Sequence, residues 1–332
     1  MKGEGEAGGA PEAQSKQSFD NLLDQCLGVG RGEQVVLLTD EGADGQVITR
    51  LIESIGARDG IPLVARMPVP HLPGSEPPGA VAAMMREAAA VIELTSLFIG
   101  SSRARRTATE RGVRYLAMPG VVLDTFRDGG PLDVDFEYLR ADAERVGRAW
   151  GSASEFRLTT PAGTDLRGSV DGRPGRVLHG MARERGAYMA PPDIESGTAP
   201  VEGTTSGVVV IDGDLLFMGR GPLTDPVVLH VDGGNVVGIE GAQRARLTQM
   251  LERCADEQMA NLAEVSMAFN PAGTICEVPM ETESARGTAH VALGNSIAYG
   301  GQVNAIAHLD CVMRDATLEL DGQCIMTQGD LQ

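Results

Sequence analysis

Between Phe19 and Trp150 the chain alternates short continuous apolar runs with segments whose apolar residues fall at helical spacing, and few architectures accommodate that alternation. Glu33-Gln34-Val35-Val36-Leu37-Leu38-Thr39-Asp40 is one such run, ending in a polar pair, as a buried parallel strand feeding a loop does. The following segment places Val47, Ile48, Leu51, Ile52 and Ile55 on one helical face. Apolar runs at Pro62–Ala65, Ala90–Leu94 and Val113–Met118 come next, with a helix predicted over Ser101–Arg111 between the last two. A helix over Asp133–Trp150 closes the series. Strands separated by helices make βαβ units, so residues 19–150 are predicted to form an α/β domain around a mostly parallel sheet. Gly28-Val29-Gly30-Arg31-Gly32 precedes the first strand, whereas a phosphate-cradling loop follows one; it is read as a turn. Pro68–Gly79 is a Pro- and Gly-rich loop in which His71 is expected to be exposed.

Past Trp150 the texture changes to short strands joined by tight turns. Glu155–Val170 reads as a hairpin, Gly207–Met218 as another, and Val227–Ile239, turning at Asp232-Gly233-Gly234, as a third. His230 in the third is read as structural. One helix is predicted over Ala242–Asp256, after which strands resume at Ala263 and run to the end, with a tight turn at Asp321-Gly322. Residues 151–332 are thus predicted to be a mainly antiparallel β (α+β) domain. Residues 1–18 are rich in Gly, Glu and Gln, have no apolar core, and are expected to be a disordered tail rather than a signal peptide.

Composition narrows the function. With 46 acidic against 28 basic residues the formal charge is −18, which argues against nucleic acid and anionic membranes as partners. The one basic cluster, Arg103-Ala104-Arg105-Arg106, is read as a solvated helix face. No apolar run is long enough to span a bilayer. The five cysteines form no CxxC pair and are odd in number, so a reducing, cytoplasmic setting is expected.

Chemistry concentrates near the end. His308 and Asp310 lie two residues apart in a strand predicted over Ala305–Met313, so both side chains point to one face, while Cys311 alternates to the other as a small hydrophobe. An imidazole and a carboxylate side by side on a strand are ready metal ligands. His290 lies upstream, and Glu195 and Glu264 sit in turn-rich or apolar surroundings where an unpaired carboxylate is costly.

The ordered set Glu195-Ser196-Gly197-Thr198-Ala199-Pro200, Ala263-Glu264-Val265, His290-Val291-Ala292-Leu293-Gly294 and His308-Leu309-Asp310 resembles the aminopeptidase T (thermophilic metalloprotease) family. The resemblance implies two divalent metals (Zn, Mn or Co) held by Glu195, Glu264, His290, His308 and Asp310, and a homodimer. It also implies a tyrosine ligand seven residues beyond His290, where this chain has Ile297; Tyr299 is the nearest tyrosine. On this reading the protein is a metallohydrolase of a small amide, short peptide or lactam. Metal-activated water is the nucleophile, Glu264 the proton shuttle, and Tyr299 steadies an oxyanion. A second branch of the superfamily, the iron-dependent dihydroxypyridine dioxygenases, is resembled at Ala199–Thr205, Phe269-Asn270-Pro271 and Ala307–Asp310. It implies one Fe(II), with His290, His308 and a carboxylate as a two-histidine-one-carboxylate set and Ser296 as a candidate serine. The iron branch uses histidine where this chain has Glu264. A non-catalytic protein on a degenerate metallopeptidase fold is the third reading.

Overall fold

The computed structural model describes residues 16–219 and 221–332. Residues 1–15 of the expected tail lie outside the described residues; its last three belong to helix α1, Lys16–Asp20, which continues as a wider turn over Asn21–Leu27. Phe19, Leu22, Leu23, Cys26 and Leu27 are all buried, so the apolar stripe carries helix back past Phe19, whose ring stacks on Phe126 at 4.0 Å.

The first part alternates strand and helix: β1 (Gln34–Thr39), α2 (Gly45–Gly56), β2 (Ile61–Arg66), α3 (Gly79–Glu87), β3 (Ala90–Glu93), α4 (Arg103–Glu110), β4 (Arg114–Ala117) and α5 (Phe136–Trp150); of these only α3 was not read from the sequence. Helix starts are set by side chains that satisfy free N–H groups: Asp44 accepts from Gln46 and Val47, Ser102 from Arg105, and Asp135 from Tyr138. Helix α2 buries Val47, Leu51 and Ile55, four residues apart, against the sheet. The four strands pair in parallel, in the order β2-β1-β3-β4.

The chain then runs through β5 (Glu155–Thr159), β6 (Asp165–Ser169), β7 (Arg176–Leu178), β8 (Tyr188–Met189), β9 (Glu195–Thr198), β10 (Ser206–Ile211), β11 (Asp214–Leu215), β12 (Val227–Asp232) and β13 (Asn235–Glu240). Helix α6 (Arg244–Cys254), β14 (Leu262–Ala268), α7 (Pro279–Ser284), β15 (Ala289–Gly294), β16 (His308–Met313), β17 (Thr317–Leu320), β18 (Gln323–Thr327) and β19 (Asp330–Leu331) complete it. Two antiparallel sheets result, in the orders β13-β12-β10-β6-β5-β17-β18-β19 and β11-β16-β15-β14-β9-β7. The mixed α/β character expected from the sequence is therefore present. Strand β8 adds to the parallel sheet beside β4, with Tyr115 opposite Tyr188, and one continuous apolar core runs from Phe19 to Met326.

Three readings need correction. Gly207–Met218 is not a hairpin: β10 pairs with β6 and β12, while β11 pairs with β16 in the other sheet. The Gly213 N–H donates to Val312 O at 3.0 Å, and this contact draws the chain from one sheet to the other. The strand expected from Ala305 begins only at His308. Helix α7 interrupts the expected run of strands; it escapes the periodicity test because all of Met280–Ser284 is buried, polar residues included.

Candidate metal centre

The six-stranded sheet separates its two faces cleanly. Val265, Met267, Val291, Leu293, Leu309, Cys311 and Met313 point into the apolar core. The opposite face carries the chemistry, because strand pairing puts Glu264 opposite Ala292 and Ala292 opposite Asp310. Ser266 lies opposite His290, Gly294 opposite His308, and Ala268 opposite Glu195. Small residues between the polar ones make the room. A side chain at Gly197 would put its Cβ 1.7 Å from Ser266 Oγ, so only glycine fits there.

The five expected ligands come together. His290 Nε2 lies 2.9 Å from Glu195 Oε2 and 3.2 Å from Glu264 Oε1. His308 Nε2 lies 2.9 Å from Glu264 Oε2 and 3.2 Å from Asp310 Oδ1. Glu264 thus spans the two histidines, one oxygen to each, and accepts a further hydrogen bond from the Ser266 hydroxyl. The His308 ring is held through Nδ1, 2.7 Å from the Asn295 carbonyl, which leaves Nε2 free to bind a cation.

Tyr299 is brought in by a short 3-10 turn, Ile297–Tyr299, whereas Ile297 is 51 % exposed. The Tyr299 hydroxyl donates to Glu195 Oε1 at 2.9 Å, and its ring stacks on His308 at 5.4 Å between centroids. Ser296 does not join the cluster's hydrogen bonds: its hydroxyl accepts from Val303 N–H within its own loop. His71 is exposed, and His230 pairs with Glu240 at 3.0 Å on the surface.

Glu283 belongs to the cluster and Asp193 adds a further buried carboxyl within its electrostatic reach; neither was read from the sequence. Glu283 comes from α7, and Asp193 from the turn before β9; both are buried. Ligand atoms of Glu195, Glu283 and His290 lie within 4.8 Å of one another, and so do those of Glu264, His308 and Asp310. Each triad holds one histidine, so the two-histidine triad expected for iron is not among them. The two histidines meet instead on the one Glu264 carboxylate, His290 at Oε1 and His308 at Oε2.

Charge defines what the cluster lacks. Five carboxylates (Asp193, Glu195, Glu264, Glu283 and Asp310) face two histidines, and among the described residues no lysine or arginine forms an ion pair with them. Both oxygens of Asp193 and Oε2 of Glu283 are buried without a hydrogen-bond partner. Burial, reinforced by the neighbouring carboxylates, pushes both groups well above the usual carboxylate range. Burial opposes charge on His290 and His308, yet the carboxylates around them outweigh it and raise both well above the usual imidazole value. Burial likewise acts to raise Glu264, but hydrogen bonds from the two histidines win and hold it at about 2. A concentration of buried negative charge with orphaned oxygens fits a divalent cation.

The chain matches the family described as 2,5-dihydroxypyridine 5,6-dioxygenase over residues 14–332. In solved structures, 2,5-dihydroxypyridine dioxygenase from Pseudomonas putida KT2440 shares the fold at a TM-score of 0.78 and 18% identity, covering 95% of this chain and 96% of that one. Wild-type AmpT from Thermus thermophilus shares it at a TM-score of 0.69 and 17% identity, covering 95% and 98%. No curated protein matches.

Proposed function

Because the chain belongs to the 2,5-dihydroxypyridine 5,6-dioxygenase family, we propose that it is an Fe(II)-dependent dioxygenase that opens the ring of a hydroxylated pyridine. The family match overturns the expected metallohydrolase, with its metalloprotease and aminopeptidase character. A carboxylate-rich ligand set does not decide between hydrolysis and oxygenation, since both chemistries need a divalent cation with open positions.

Glu264, His308 and Asp310 would hold the iron, an arrangement of one histidine and two carboxylates. Bound Fe(II) would bring dioxygen and the substrate oxygens together at its open positions. Asn295 fixes His308 through Nδ1, and Ser266 fixes Glu264 through Oε1, so the ligands are oriented before substrate arrives. Glu195 is braced by the Tyr299 hydroxyl on one oxygen and by His290 on the other. Its carboxylate is the group to take the proton that a hydroxypyridine gives up on binding. Tyr299 acts by holding Glu195 and by covering the His308 ring. The two-part organisation, 19–150 and 151–332, remains part of this proposal, as does a small molecule as substrate.

The observation that carries the reading is family membership over nearly the whole chain, joined to a buried anionic cluster that fits a cation. Anaerobic protein reconstituted with Fe(II) should consume dioxygen on addition of 2,5-dihydroxypyridine, and zinc should not replace iron. His308→Ala should lose bound iron and dioxygen uptake together. Ring opening at an undiminished rate without dioxygen would sink the proposal.

A further inference from the structure

The turn that brings Tyr299 to the metal centre is only three residues long, Ile297–Tyr299, and a single 3-10 turn does not hold itself. Its carbonyls are held from outside. Arg176 Nη1 donates to Ala298 O at 2.6 Å, Ala199 N–H to Tyr299 O at 3.1 Å, and Arg173 Nη1 to Gly300 O at 2.6 Å. Gly300 turns the chain with a left-handed φ of 87°, and a Cβ there would fall 2.5 Å from Pro174 Cδ, so the turn is seated on the same Arg173–Arg176 segment that holds its carbonyls. Arg173 is buried and pairs with Glu202, whose other oxygen accepts from Gln302 N–H at 2.7 Å.

The two arginines are not equivalent. Glu202 meets the charge of Arg173, whereas the Arg176 guanidinium carbon lies 4.6 Å from the centroid of the Tyr299 ring. That ring is the one stacked on His308, within 6° of parallel, and its hydroxyl is the one that donates to Glu195. A cation over a phenol draws on the electrons of the ring and makes the O–H a stronger donor. Strand β7 pairs with β9, Arg176 opposite Gly197 and Leu178 opposite Glu195, so the arginine and the carboxylate that receives the hydroxyl sit on adjacent strands. Successive side chains of a 3-10 turn are about 120° apart, so the phase in which the turn is held decides which of them faces the centre. Held as it is, Tyr299 is buried and Ile297 faces out.

We propose that Arg176 and Arg173 are positioning residues of the metal centre: by holding the carbonyls of Ala298 and Gly300 they fix the phase of this turn, which sets the Tyr299 hydroxyl on Glu195 and the Tyr299 ring on His308. Arg176 adds its charge to that hydrogen bond, and Arg173 acts through the backbone alone. A cation at the centre suffices for this role; the ring-opening reaction is not required.

Co(II), whose visible absorption reports its ligands, is the probe, and its dissociation constant is read on the full chain by absorption titration. Losing a group that orients metal ligands weakens binding about 10- to 100-fold. Arg176→Gln should weaken Co(II) by an amount in that range and shift its absorption band, Arg173→Gln should do so to a smaller extent, and Arg176→Lys, which keeps the cation, should recover part of the loss. With Tyr299→Leu already in place, Arg176→Gln should move the constant by less than about twofold, because its route to the metal is gone. Circular dichroism identifies the folded variants, and should Arg176→Gln not fold, Arg173→Gln is taken through the same cycle. Wild-type affinity and spectrum in the folded single variant, or an equal loss with and without Tyr299, would overturn the inference. Absence of dioxygen uptake would count against ring opening and leave the Co(II) cycle as it stands.

Discussion

At the scale of single residues, the molecule places carboxyl groups where burial decides their charge. Glu93, at the end of β3, is fully buried and accepts from Ile99 N–H at 2.6 Å, the Tyr115 hydroxyl at 2.8 Å and the Thr95 hydroxyl at 3.2 Å. Burial outweighs these bonds and pushes it up to about 7. A carboxyl whose folded value exceeds its unfolded one stabilises the fold at low pH, and that contribution is lost as pH rises through the folded value. Glu93→Gln should therefore flatten the fall in stability between about pH 5 and about pH 8, and be more stable than wild type at the upper end by about 1–3 kcal/mol. Urea midpoints at several pH values, both proteins metal-loaded, check this; parallel curves would refute it. The same physics explains what was legible in the sequence. His308 and Asp310 could be picked out as a pair on one strand face, while Glu195, Glu264 and His290 joined them as an ordered set through the resemblance to a metallopeptidase family. Glu283 could not, because Met280-Glu281-Thr282-Glu283-Ser284 looks like a solvated segment, and only the fold buries it. Its neighbour Glu281 is the ordinary case, paired with Arg127 at 2.8 Å.

Elements are positioned by close approach. Helix α5 lies against the strands that present the site: the Trp150 indole N–H donates to Ser196 O at 3.2 Å, one residue from Glu195. A Cβ at Gly147 would fall 2.4 Å from Val177 Cγ2 and 3.3 Å from Ser196 Oγ. Gly147→Val should push α5 off β7 and β9 and cost about 1–3 kcal/mol, the usual range for overpacking. Denaturation followed by the emission of Trp150, the single tryptophan, would measure it, and an unchanged midpoint would refute the packing account. The parallel strands of the first half and helix α2 were legible from their apolar runs and spacing, whereas α3, short and rich in alanine, was not. The 3-10 turn that delivers Tyr299 was not, since three residues carry no period, and Ile297 stood at the position expected for the tyrosine. Strand β8 escapes for the same reason, and β11 was read as strand but given the wrong partner, because both are set by partners distant in sequence.

Over the whole molecule, the formal charge of −18 is partly gathered into one buried cluster, so metal and stability are linked. A cation bound only by the folded state at a hundred times its dissociation constant adds about 2.7 kcal/mol. Chelation should lower the melting temperature by several degrees, and restoring Fe(II) should recover it; a scan indifferent to chelator would contradict the cation assignment. Among the described residues no helix is long and apolar enough to cross a membrane. The wider consequence lies in β8. These two residues, drawn from the antiparallel half, finish the edge of the parallel sheet and carry Tyr188 beneath Arg105. A chain severed near Trp150 would leave the first fragment with an open β4 edge and the second with its tyrosine stranded. Replacing either half with a relative's would also replace one side of this seam, so the β4 edge and its two-residue cover have to be exchanged together.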